Sequence, residues 1–167
     1  MEFNSCHFRT AASRIMALNS LATLTNGVYP ENTLKFNSCK IEFIGNTQTA
    51  IINRGPKELI MDNCDVHFAT TPYVPLSMKN DWDSKLIINN CRFMWDDMAS
   101  YIIDFGAANY TVYIYNSEFS ESRSFGCCSS SGTTGGIIRV LNNIMSNINT
   151  YNANNFEIIG TNDISNL

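Results

Sequence analysis

A six-residue pattern recurs along this chain and narrows its possible folds more than any other feature. It occurs as Phe3-Asn4-Ser5-Cys6-His7-Phe8, Phe36-Asn37-Ser38-Cys39-Lys40-Ile41, Met61-Asp62-Asn63-Cys64-Asp65-Val66 and Ile88-Asn89-Asn90-Cys91-Arg92-Phe93. Two degraded copies follow, Ile114-Tyr115-Asn116-Ser117-Glu118-Phe119 and Val140-Leu141-Asn142-Asn143-Ile144-Met145. With the Cys position as marker, the copies fall at 6, 39, 64, 91, 117 and 143, at intervals of 33, 25, 27, 26 and 26 residues. A period in this range marks a solenoid, in which each repeat buries its apolar face only against its neighbours.

The unit of the repeat reads as strand. Apolar residues alternate through Leu34, Phe36, Cys39, Ile41 and Phe43, and again through Leu59, Met61, Cys64, Val66 and Phe68. The next repeat continues with Leu86, Ile88, Cys91, Phe93 and Trp95. Period-2 alternation places one face inward. Polar pairs (Asn37-Ser38, Asp62-Asn63, Asn89-Asn90) join the runs and predict a tight corner, where Asn tolerates left-handed backbone. Stacked once per pass, these Asn side chains are predicted to hydrogen-bond along the column.

A third apolar run appears in each repeat, at Arg14–Leu18, Thr49–Ile52, Val74–Met78 and Tyr101–Phe105. Three strands in each repeat make one coil of a parallel β-helix, with coils ~4.8 Å apart. The fold-class expectation is therefore all-β: a single-stranded parallel β-helix solenoid of about six coils of 25–27 residues, three strands per coil. Residues 1–167 form one domain in this reading. The Asn-corner repeat resembles right-handed parallel β-helix proteins of the pectate-lyase-like superfold, which includes phage tailspikes. The resemblance covers roughly residues 1–164 and is one of architecture, which many functions share.

Composition removes some partners. Eleven Lys and Arg stand against fifteen Asp and Glu, a net charge of −4, which argues against nucleic acid. No apolar run reaches transmembrane length, and Met1-Glu2-Phe3 opens directly into a repeat rather than a signal peptide. A solenoid exposes strand edges at both ends. The first corner lies close to residue 1, and 156–160 reads as one last strand. The expectation is that neighbours, from a larger parent protein or further subunits, cover both ends.

The six cysteines include no Cys-x-x-Cys pair, and four recur on the inward phase, so they read as small buried hydrophobes rather than disulfides or metal ligands. Cys127 and Cys128 receive no role. No cofactor and no metal is expected. One position after the marker, facing outward, His7, Lys40, Asp65, Arg92 and Glu118 form a column whose signs alternate from Lys40 onward. Arg9, Glu42 and His67 form a second column. Both read as register devices worth ~0–1 kcal/mol per exposed pair, and His67 is not read as catalytic.

Function is expected on the variable connections, because loops tolerate change. In the loop Lys79–Lys85, Trp82 between Asp81 and Asp83 suits stacking on a sugar ring with carboxylates on its hydroxyls, and Tyr73 joins them as a carbohydrate contact. Trp95 shares the inward phase of Phe43 and Phe68. Asp81, Asp83 and Asp104 are the candidate catalytic carboxylates for glycosidic cleavage. No triad, P-loop or HExxH motif is present.

The resemblance implies a virion tailspike or tail-fibre protein contacting host surface polysaccharide. It further implies a homotrimer with Tyr73, Tyr113 and Tyr115 at lateral interfaces. The alternatives are a polysaccharide lyase or glycoside hydrolase of the pectate-lyase-like group, and a structural adhesin repeat at the cell surface or outside the cell.

Overall fold

The computed structural model describes residues 1–11, 33–44, 57–69, 76–78, 84–95, 103–105, 109–120, 125–129, 135–141, 144–145, 148–151, 156–159 and 163–164. Side chains are described at 1–9, 11, 33–44, 57–69, 85–94 and 111–118. All regular structure among these residues is strand, and every strand pairing is parallel.

Three sheets are built by stacking equivalent strands. The first contains β1 (Glu2–Asn4), β3 (Thr33–Asn37), β5 (Glu58–Asp62), β8 (Ser84–Asn89), β11 (Asn109–Tyr115), β14 (Gly135–Leu141) and β17 (Phe156–Ile159) in that spatial order. The second contains β2 (His7–Thr10), β4 (Lys40–Phe43), β6 (Asp65–Phe68), β9 (Arg92–Trp95), β12 (Glu118–Ser120), β15 (Ile144–Met145) and β18 (Asp163–Ile164). The third contains β7 (Leu76–Met78), β10 (Ile103–Phe105), β13 (Phe125–Ser129) and β16 (Ile148–Tyr151).

Two of the sheets thus hold seven levels where six coils were expected. The seventh level is β17 and β18, which continue both ladders beyond the last degraded copy of the motif. In the third sheet, Val74–Met78 and Tyr101–Phe105 are represented by β7 and β10, whereas Arg14–Leu18 and Thr49–Ile52 lie outside the described residues. Cys127 and Cys128 fall within β13, in register with Ile103 and Asp104.

Register converts the sequence repeat into vertical files of like side chains. Phe36 pairs with Met61, Met61 with Ile88, and Ile88 with Ile114, while Phe43 pairs with Phe68. The inward residues of these strands are 0–1 % exposed. Phe43 and Phe68 stack at 4.9 Å between ring centroids, 9° from parallel, and Phe3 stacks on Phe36 at 5.4 Å. Across the corner, Phe8 meets Phe36 edge-on at 5.8 Å, so the first two sheets share one interior. Apolar burial here is the main stabilising term, at ~25 cal/mol per Å² removed from water.

The corner between the first two sheets has a local chemical cause. Ser5, Ser38, Asn63, Asn90 and Asn116 all take left-handed φ, between 50° and 54°. Asn37, Asp62 and Asn89, the first members of the polar pairs, remain in the strands. At the first four corners the left-handed residue donates its N–H to the next level, as from Asn63 to Asn89 O at 2.9 Å. After the Cys, donation reverses: Arg92 N–H reaches Cys64 O at 2.9 Å. The backbone ladder therefore resumes on both sides of the Cys, whose own N–H is left to a side chain of the next pass.

The inward side chain at the corner completes this bonding. The single hydrogen of the Cys91 thiol has two carbonyl acceptors in reach, Asn89 O at 3.2 Å in its own pass, which is the nearer, and Met61 O at 3.4 Å in the pass before. Its sulfur accepts the Cys64 N–H at 3.5 Å. Ser117 takes the same place one pass on, donating to Tyr115 O at 2.7 Å and accepting the Cys91 N–H at 3.1 Å. Burial pushes the Cys39 thiol up from its ordinary value, and the hydrogen bond with Cys64, reinforced by burial, pushes Cys91 up. Neutral buried thiols of this kind are structural donors rather than nucleophiles.

Four substitutions at three positions test the packing and the corner by urea denaturation. Phe68→Ala is expected to lose about 3–5 kcal/mol, as for a large buried aromatic. Cys91→Ser, which keeps a donor and an acceptor, should stay within about 1 kcal/mol, while Cys91→Val should lose about 1–3 kcal/mol by orphaning the Cys64 N–H. Ser38→Asn should gain roughly 0.5–1 kcal/mol, because Asn occupies left-handed backbone more readily than Ser.

Candidate functional site

Over the outer side of this corner runs an open groove of about 300 Å³, lined by three stacked turns, Asn63–Asp65, Asn90–Arg92 and Asn116–Glu118. The groove exists because the left-handed residues repeat in register and direct their side chains outward. Asn90 Nδ2 donates to Asn63 Oδ1 at 3.0 Å, and Asn63 Nδ2 donates to Ser38 Oγ at 3.0 Å. A second amide file runs beside it, from Asn37 Nδ2 to Asn4 Oδ1 at 3.1 Å and from Asn89 Nδ2 to Asp62 Oδ1 at 2.9 Å. Asn116 joins this second file through Asn89 Oδ1 at 3.3 Å.

A carboxamide has two N–H donors and two acceptor lone pairs. The ladder uses one donor and one acceptor of Asn63, and both Asn63 and Asn90 are exposed. The remaining capacity of Asn63 and Asn90 faces solvent on two successive passes, as a short comb of donors and acceptors. Such a comb is chemically suited to a polyhydroxylated ligand.

The charged column does not pair as its alternating signs suggest. Lys40, Asp65, Arg92 and Glu118 do occupy successive register positions. Arg92 Nε meets Glu118 Oε2 at 3.2 Å, as expected. Lys40 Nζ, however, turns to Glu42 Oε1 at 2.8 Å, on its own strand, rather than to Asp65. His7 Nε2 takes the other Glu42 oxygen at 2.6 Å. Residues two apart on a strand share a face, so Glu42 competes with Asp65 for Lys40. Hydrogen bonds from Lys40 first, and from His7 second, lower Glu42 to about 2. Among the described residues Asp65 makes no ion pair.

On the outer face of the first sheet, Tyr113 and Tyr115 stack at 5.8 Å, and Lys85 Nζ lies 5.6 Å from the Tyr113 ring centre. Lys85 also pairs with Glu58 at 3.0 Å. Both tyrosines are half-buried.

Of the residues singled out from sequence, Tyr73, Asp81, Trp82 and Asp83 lie outside the described residues. Asp104 is placed by its backbone in β10, in register with Ser77 and Cys128, and its side chain is outside the described set. The structure therefore brings together a different group, Asn63, Asn90, Asp65, Arg92 and Glu118. Sequence reasoning treated these as corner and register residues. Their recurrence around each Cys was the available signal. Among the described residues no group of three or more His, Cys, Asp or Glu side chains could hold a metal ion, and no helix is long and apolar enough to cross a membrane. No protein-family model, curated protein or solved structure matches the chain.

The Glu42 cluster carries a pH signature. A carboxyl whose folded value lies below its usual 4.5 contributes stability that is present above pH 4.5 and is lost as pH falls towards about 2. The stability gap between the natural chain and Glu42→Gln should accordingly narrow between pH 4.5 and 2. Denaturation midpoints across that window check this, and a constant gap would refute the assignment.

Proposed function

We propose that the chain is a right-handed parallel β-helix segment of an elongated spike or fibre, of the tailspike type, and that it contacts host surface carbohydrate along its stacked corners. The observation that carries this reading is the exposed Asn63–Asn90 comb beside the Arg92–Glu118 pair. Sugar hydroxyls are donors and acceptors at once, and the spare amide groups match them in kind. The lack of deep enclosure suits a polymer that lies across a surface more than a small molecule held in a pocket.

The parallel stack supports the rod-like part of the proposal. Each level is bonded to the next along its backbone and through like side chains, which resists bending and shear. In a spike or fibre on a virion tail, three such columns pack side by side. Tyr113 and Tyr115, held by each other and by Lys85, supply amphipathic contact area of the sort that lateral interfaces favour.

Two measurements test the reading. Calorimetry against capsule and lipopolysaccharide preparations should find a ligand. The double variant Asn63→Gly/Asn90→Gly, which keeps backbone freedom for positive φ, should weaken it by about fivefold for each hydrogen bond lost. Unchanged affinity in a folded double variant would remove the groove from the proposal, and new reducing ends would shift it towards the hydrolase class. Light scattering should give the mass of a trimer; a monomer at micromolar concentration would defeat the lateral assembly.

A further inference from the structure

We infer that the groove selects saccharides carrying a free amino group, with Asp65 as the anchoring carboxylate. This rests on the carbohydrate reading above and specifies its ligand class. In register, Asp65 stands between two cations, Lys40 on one side and Arg92 on the other. Both bond away from it, Lys40 to Glu42 at 2.8 Å and Arg92 to Glu118 at 3.2 Å. Asp65 is exposed, lines the groove, and makes no ion pair among the described residues.

The charge of the groove points the same way. Its lining holds the carboxylates Asp65 and Glu118 and the single guanidinium of Arg92, a net of one negative charge. Glu118 already neutralises Arg92, so an acidic sugar meets an occupied guanidinium and an opposing carboxylate. An ammonium group meets the reverse. It brings three donors and no acceptor. One can reach Asp65, while the others find the lone pairs that the Asn63 and Asn90 ladder leaves facing solvent. Asp65 follows Asn63 by two residues across the corner, so both groups border the same level of the groove.

The experiment compares binding of an oligo-glucosamine with its fully N-acetylated counterpart, which has the same backbone and no charge. The free amine should bind about fivefold more tightly at low ionic strength, the advantage expected of one exposed ion pair, and the advantage should shrink in high salt. Asp65→Asn should bring the ratio of the two affinities close to one. Arg92→Gln, which frees Glu118, should widen it. Circular dichroism of each variant confirms that the strands are retained.

Equal affinity for the two oligomers, or an amine preference that survives Asp65→Asn, would overturn the inference while leaving the carbohydrate reading in place. Failure of the folded natural chain to bind either oligomer would also overturn the inference. Binding of neither these nor any capsule or lipopolysaccharide preparation would overturn the carbohydrate reading with it.

Discussion

The structure depends on parallel backbone hydrogen bonding between equivalent residues of successive passes. Once that ladder forms, each residue of an inner strand has its register equivalent one strand spacing away on each side. Only residues that tolerate their own kind can then fill a file. Aromatic rings do so by stacking, as Phe43 and Phe68 show, and aliphatic groups do so by dispersion. Carboxamides do so because each is both donor and acceptor, which makes the Asn90–Asn63 contact self-complementary. Carboxylates and cations have no such option.

The corner shows how this constraint reaches the backbone. Turning the chain in so few residues puts one residue in left-handed conformation and leaves the following N–H without a strand partner. The Cys or Ser side chain of the next pass accepts that N–H, and its own hydrogen goes back to a carbonyl of the same turn. A thiol and a hydroxyl are the small groups that both donate and accept in a buried position, so Ser117 substitutes for Cys without a change of geometry. Cys39, Cys64 and Cys91 are therefore hydrogen-bonding elements of the turn as well as core residues.

The same rule gives the outer surface its character. Amides that satisfy one another inside the ladder still have unused groups, so a regular file of Asn becomes a regular file of exposed donors and acceptors. Charged residues in register must find partners of opposite sign, and a nearby carboxylate on the same strand can draw a cation aside. Glu42 does this to Lys40, and Glu118 holds Arg92. The asymmetry left at Asp65 is a consequence of which neighbour each cation reaches first.

The repeat, the inward phase of Leu34, Phe36, Ile41 and Phe43, and the stacking of Asn on Asn could all be read from residue order, because strand alternation and a constant period map directly onto faces and files. The position of the left-handed residue could not: Asn37 and Ser38 are both plausible there, and only the hydrogen bonding of the closed corner assigns it to Ser38. Nor could the partners of the charged column. Alternating signs predicted Lys40 with Asp65, but distances of a few ångströms between flexible side chains decide such pairings. Sequence determined what stacks on what, since that follows from the backbone ladder alone. Tertiary structure decided which groups remain exposed beside the groove, since that depends on lateral reach between neighbouring files.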